Sequence, residues 1–145
     1  MRERLPDKRH GITHKLILHS LNPSGEIGKL NVYITVNRYP DGRPGELFYT
    51  INISGKESKT VAGKTADILY CECLRGWLKQ WAISISMNLQ YGVPLSKIVE
   101  KFSYQDFPPQ GMTENEDIHS CKSVVDYTIR WMEKEFSQPT GRVPA

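Results

Sequence analysis

Cysteine is scarce in this 145-residue chain: only Cys71, Cys73 and Cys121 are present. An odd count, with no apolar stretch behind Met1 of the kind a secretory signal requires, argues against a disulfide framework and leads to the expectation of a cytoplasmic protein with reduced thiols. The three thiols with His119 also make a poor zinc set. Structural zinc sites place two or more residues between paired cysteines, and positions i and i+2 of a helix diverge. Long apolar runs are missing too: none approaches the ~18 residues that span a bilayer, so no membrane partner is expected. The net charge of +3 falls well short of the basic bias of a nucleic-acid binder and merely permits an anionic ligand.

Recognisable chemistry is equally sparse. Gly63-Lys64-Thr65 matches the end of a phosphate-binding loop, but that motif needs a glycine where Ser58 stands. No Ser-His-Asp order, paired-carboxylate motif or nucleotide fingerprint appears among the polar residues. No catalytic residue, metal or cofactor is therefore expected, which leaves a binding or docking role.

What is present reads as one domain of ordinary size and composition, with 39% hydrophobic and 24% charged residues. Residues 1–11 form a basic arm in which Arg2, Arg4, Lys8 and Arg9 outnumber Glu3 and Asp7. Residues 12–21 turn from mixed to apolar, as a half-buried strand does, and 30–38 alternate β-branched and aromatic residues with polar ones. Asp41-Gly42 between Pro40 and Pro44 is a strong turn signal, so a hairpin into a third strand over 46–53 follows. The three strands predict an antiparallel meander, followed by an exposed loop over 54–64.

From Thr65 to Gln90 there is no proline and one glycine, and Leu69, Cys73, Trp77, Trp81, Ile85 and Leu89 recur at four-residue steps, which predicts one long helix. Gly92 is placed to end it, and Pro94 opens a short helix through Phe102. Phe107-Pro108-Pro109 marks a crossover loop over 103–117. A third helix is expected from Ile118 to Phe136, with 137–145 a tail. Fold class is thus α+β: a three-stranded antiparallel meander, then a long, a short and a C-terminal helix packed on the sheet. Trp77, Trp81 and Trp131 are expected to fill the helix-to-sheet interface.

Candidate ligand contacts follow from residue type. Lys15, Arg38, Arg43 and Arg75 can bind phosphate oxygens, arginine bidentately and lysine as a point charge. His14 and Lys15 fall on opposite faces of one strand, so they do not share a pocket without a bulge. Tyr39, Tyr91 and Phe107, at element ends or in loops, are placed to stack on a base.

Several blocks also carry a family resemblance: Leu5-Pro-Asp-Lys-Arg9, Ile12-Thr-His-Lys15, Tyr33-Ile-Thr-Val36, Tyr39-Pro-Asp-Gly-Arg-Pro-Gly-Glu-Leu-Phe48, Ile85-Ser-Met-Asn-Leu-Gln-Tyr-Gly-Val-Pro-Leu95, Glu100-Lys-Phe102 and Ser123-Val-Val-Asp-Tyr127 with Arg130-Trp131. In order and most of their spacing they resemble the TSCPD domain that follows the catalytic barrel of vitamin B12-dependent (class II) ribonucleotide reductases, here free-standing over residues 4–132. Between Phe48 and Gly76 the chain is longer than that pattern, and Tyr70-Cys-Glu-Cys-Leu-Arg-Gly76 replaces its small-residue helix start. The barrel, with its radical cysteine, cofactor site and substrate site, has no counterpart here. The resemblance therefore implies neither cobalamin binding nor ribonucleotide reduction. It implies a non-catalytic module that binds a phosphorylated or nucleotide-like small molecule, including sequestration of a signalling nucleotide in an anti-defence role. The alternative is an accessory subunit docking onto a separate reductase chain, and the plainest reading is a generic protein-interaction domain. Closed symmetric assemblies being common, a homo-oligomer is expected.

Overall fold

The computed structural model describes residues 1–21, 25–52 and 66–136. The expected loop over 54–64, the Gly63-Lys64-Thr65 match and the tail lie outside these residues. Three long strands, β1 (His10–Leu21), β2 (Ile27–Arg38) and β3 (Pro44–Asn52), form the predicted meander. Then come α1 (Ala66–Gln90), α2 (Leu95–Phe102), β4 (Gly111–Thr113), β5 (Ser120–Cys121) and α3 (Val124–Phe136).

The sheet has five strands, not three, in the order β3-β2-β1-β4-β5 with every pair antiparallel. The two extra strands come from the segment read as a crossover loop and from the expected start of the third helix. At three and two residues they are too short to show an alternating pattern. Gly111 permits the β1–β4 contact: its φ is +146°, and a Cβ there would collide with the His19 carbonyl of β1.

Alternation sets the two faces of the sheet. Leu16, Leu18, Val32, Ile34 and Val36 are fully buried under the helices, joined by Leu47 and Ile51 of β3. Thr13, Lys15, Tyr33, Thr35 and Phe48 lie on the opposite face, where the Thr13 and Thr35 hydroxyls pair across β1 and β2 at 2.9 Å. Strand β1 begins at His10, so the last two residues of the basic arm belong to the sheet.

Helix α1 meets the core through Leu74, Leu78, Ala82, Ile85 and Leu89. Cys73 and Trp77, counted on the core face in the four-residue series, are instead exposed, Trp77 at 76%. The reason is geometric: at about 100° per residue each four-residue step drifts about 40°, so six residues spaced this way cannot stay on one face. The other two tryptophans do pack inward. Trp81 lies partly buried against Tyr49 and Phe102, and Trp131 is buried against His14 and Phe136.

The expected stop at Gly92 is present, with φ of +92° and the paired bonds Gly92 N–H to Leu89 O (3.1 Å) and Val93 N–H to Asn88 O (2.9 Å) that close a helix end. Pro94 sits one residue earlier than expected, as the N-cap of α2. Helix α3 starts at Val124, not Ile118, because Ser123 caps it: its Oγ accepts the Asp126 N–H at 2.9 Å.

Replacing Gly92 with valine should cost about 1–2 kcal/mol, the penalty of forcing a side chain into left-handed backbone. Nothing lies within 4 Å of a Cβ at that position, so strain alone should act. Urea denaturation measures it; an unchanged midpoint would contradict this account of the helix end.

Candidate functional site

A sheet with helices on one face leaves two edges whose backbone groups need partners. At the β3 edge, α1 provides them. Ser86 Oγ accepts the Leu47 N–H at 2.9 Å, Gln90 donates to Gly45 O at 3.1 Å, and Arg75 donates to Ile51 O at 3.0 Å. Between these anchors the strand and helix enclose a cleft of about 430 Å³. Arg2, Arg75 and Lys79 contribute cations to it, and Phe48 offers a ring that is 48% exposed. The cleft's one carboxylate, Glu46, is already held by Arg9 at 2.6 Å and by Asn37 at 3.0 Å. The surplus charge is therefore positive.

The N-terminal arm completes this wall. Leu5 is buried, Arg2 donates to Gln90 at 2.7 Å, and the Glu3 N–H donates to the Gln90 carbonyl at 2.8 Å. Two of the arm's cations thus have partners inside the domain.

The seven residues singled out in the sequence do not form one pocket. Arg75 alone lines the cleft just described. Tyr39 and Arg43 sit together at the β2–β3 turn, but Tyr39 is buried with its hydroxyl on Glu3 O. Arg43 lies over the Tyr39 ring and pairs with Asp41 at 2.7 Å and Glu3 at 3.2 Å. Arg38 rests over the Phe136 ring. Lys15, on the outer sheet face, lies over Tyr33. Tyr91 is exposed at the end of α1. Phe107 lines a separate apolar cleft of about 560 Å³ with Trp77, Trp81, Phe102 and Pro108.

A third cavity, about 590 Å³, lies between β1, the 114–117 segment and α3. Its inner wall is a hydrogen-bond relay. Asn115 Oδ1 accepts the Asp117 N–H at 2.8 Å, so its amide nitrogen is left to donate to Tyr127 Oη, also at 2.8 Å. The phenol proton then points to His14 Nε2 at 2.6 Å, which makes that nitrogen an acceptor and the ring neutral. Burial against Tyr127 and Trp131 holds the His14 imidazole below its usual range, with Glu135 partly offsetting it. Here Glu114, Glu116, Asp117 and Glu135 outnumber Lys15 and Lys134, so this cavity disfavours phosphate. His14 and Lys15, expected not to share a pocket without a bulge, both line this cavity although β1 is unbulged there, because β4 pairs with β1 only at Leu18 and His19 and leaves that edge open; the relay depends on Asn115 and Tyr127, which are distant in sequence.

At the β5 edge a buried carboxylate does the organising. Asp126 accepts the Tyr104 N–H at 2.7 Å and the Lys122 N–H at 2.9 Å, and it pairs with Arg130 at 3.1 Å. Arg130 in turn donates to Ser120 O. Burial pushes the Cys121 thiol up to about 11, as expected of a thiol used for packing. Among the described residues no group of three His, Cys, Asp or Glu can hold a metal ion, and no helix is long and apolar enough to cross a membrane.

Fold and cavities together define a small α+β domain whose described residues form surface clefts of distinct chemistry. The chain belongs to the TSCPD domain family, which matches residues 8–136. It is 42% identical over 144 residues to the vitamin B12-dependent ribonucleotide reductase of Rhodopirellula baltica, covering 99% of this chain and 11% of that protein. The enzyme of the same name from Streptomyces avermitilis is 35% identical over 136 residues (94% and 12%), and that from Bradyrhizobium diazoefficiens 32% over 130 (89% and 8%). The chain thus spans about a tenth of the length of the relatives it matches. No solved structure matches.

Because folded His14 resists a proton that the unfolded chain accepts near pH 6.5, its contribution to stability is present above that pH and lost as the pH falls. Urea melts of the native chain and His14→Gln should therefore differ more at pH 7.5 than at pH 5. A pH-independent gap would show that His14 is not shielded from protonation.

Proposed function

We propose that this chain is a non-catalytic binding module for a phosphorylated, nucleotide-like small molecule, seated in the cleft between β3 and α1. One observation carries the reading: three cations, Arg2, Arg75 and Lys79, share that cleft with the exposed ring of Phe48, while its one carboxylate is neutralised by Arg9. Guanidinium and ammonium groups suit phosphate oxygens, and an exposed aromatic face suits a base. Retention of such a ligand without turnover would make the protein a sequestering module for a signalling nucleotide.

The second reading, an accessory subunit docking onto a separate ribonucleotide reductase chain, draws on the family relation. In the relatives the matching region is 8–12% of a much longer protein of that name. The apolar cleft at Trp77 and Phe107 offers a contact surface for that role.

Native mass spectrometry with nucleotides and cyclic oligonucleotides, followed by chromatography of the released ligand, separates the two. A stoichiometric ligand recovered intact, with affinity falling as salt rises, is expected from the binding reading. The double variant Arg75→Ala, Lys79→Ala should weaken it at least tenfold, and Lys79→Ala alone, which keeps the Arg75 bond to the β3 edge, should weaken it with little effect on folding. Retention of no nucleotide, or affinity unchanged in the double variant, would reject this cleft.

A further inference from the structure

Two buried polar atoms have no hydrogen-bond partner among the described residues, the Tyr70 hydroxyl and the Trp81 indole Nε1, and both residues line the apolar cleft at Trp77 and Phe107. Other buried ring hydroxyls are satisfied: that of Tyr49 meets Thr128 Oγ1 at 2.6 Å, and that of Tyr127 has Asn115 and His14. A donor buried without an acceptor costs free energy that a matching acceptor recovers. Burial, with Cys71 adding to it, holds the Tyr70 phenol above its usual range, so it keeps its proton and can donate. Indole Nε1–H is a donor only. The cleft therefore has two unspent donors.

The rest of the lining decides what could bring acceptors to them. None of the described residues that line the cleft is charged, and the amide of Gln105 already donates to Lys101 O at 3.2 Å. An ion would lose its hydration there with no counter-charge to replace it. Phe102 stands edge-on to Trp81, with ring centroids 5.8 Å apart, and Leu74, Leu78 and Val125 continue the apolar surface. Tyr70 and Trp81 are about three turns apart on α1, or about 16 Å of helix axis, so they stand toward opposite ends of the cleft.

We infer that this cleft, about 560 Å³, is a small-molecule site for an elongated, uncharged aromatic compound with carbonyl-type acceptors near its two ends. A concave, mostly apolar lining with a few polar groups is what such sites have. Trp81, Phe102 and Phe107 offer rings to pack on the compound, and its acceptors take the Tyr70 and Trp81 protons. A protein surface fits less well. Trp77 and Phe107 stand exposed at the rim, at 76% and 41%, whereas the two donors are buried, so a partner that covers the rim leaves them unpaired. The site is also separate from the β3–α1 cleft, with which it shares no lining residue.

Proton–nitrogen correlation spectra of the native chain test this. The probe is diacetylbiphenyl with its acetyl groups at the far ends of the two rings, and diethylbiphenyl of the same substitution is the hydrocarbon control. The diketone is expected to bind saturably and to move the Trp81 indole proton downfield, as a new hydrogen bond does. The hydrocarbon should bind at least tenfold more weakly. Tyr70→Phe keeps the ring and removes the hydroxyl, so it should weaken diketone binding about three- to tenfold. Its thermal melt should equal or exceed the native one, because only an unpaired buried hydroxyl is lost. Lys79→Ala should leave diketone binding unchanged, which distinguishes failure here from failure of the nucleotide cleft. No saturable binding, equal affinity for the hydrocarbon, an unmoved Trp81 indole signal in the bound protein, or a Tyr70→Phe chain that melts lower would each overturn the inference.

Discussion

Everything in this domain depends on how the two open edges of a single sheet are closed. Unpaired backbone groups on an edge strand need partners, and an edge left bare invites another strand. Here the partners are helix side chains. Ser86, Gln90 and Arg75 of α1 bind the free edge of β3, and Arg130 of α3 binds the Ser120 carbonyl of β5, with Asp126 holding the adjoining backbone. These contacts fix where α1 and α3 lie over the sheet, and the cavities follow from that placement. They also make strand addition a poor route to assembly, since much of the edge is already engaged.

Helix α1 thus serves three purposes on three sides. Leu74, Leu78, Ala82, Ile85 and Leu89 supply the core, Arg75, Lys79, Ser86 and the partly exposed Ile83 and Met87 line the cleft at the strand edge, and Trp77 faces outward beside the apolar cleft. A helix divided in this way has no clean amphipathic pattern, which is why its apolar residues look continuous in the sequence. The family relation fits the same division. A region that makes up about a tenth of its relatives folds here around its own core, with two of its clefts lying against α1 and another between β1 and α3.

Legibility of the fold tracked the length of each element. Twelve-residue strands with alternating burial and a 25-residue helix ended by a positive-φ glycine carry enough repeats to read. Strands β4 and β5 carry none, and their pairing is a property of Gly111 lying close to His19. The start of α3 was misplaced by six residues because the Ser123-x-x-Asp126 cap was not weighed as a helix start, although that pattern is visible in the sequence. Among the candidate ligand contacts, residue type was a weak guide: Tyr39 and Arg43 were placed near each other by the turn, but the arm docks over them, and a buried hydroxyl on Glu3 cannot stack on a base.

By itself the sequence determined the family, the meander, the long helix and its stop, and the separation of His14 from Lys15 onto opposite faces. These are set by periodicity, by backbone chirality and by the ordered series of shared blocks, all of which are local or one-dimensional. Tertiary structure alone decided that Arg2, Phe48, Arg75 and Lys79 share a cleft, that Asn115, Tyr127 and His14 form a relay, and that Trp77 faces away from the core. Those outcomes depend on how helix axes lie on a twisted sheet, and that is fixed by packing between residues far apart in the chain, which no local pattern records.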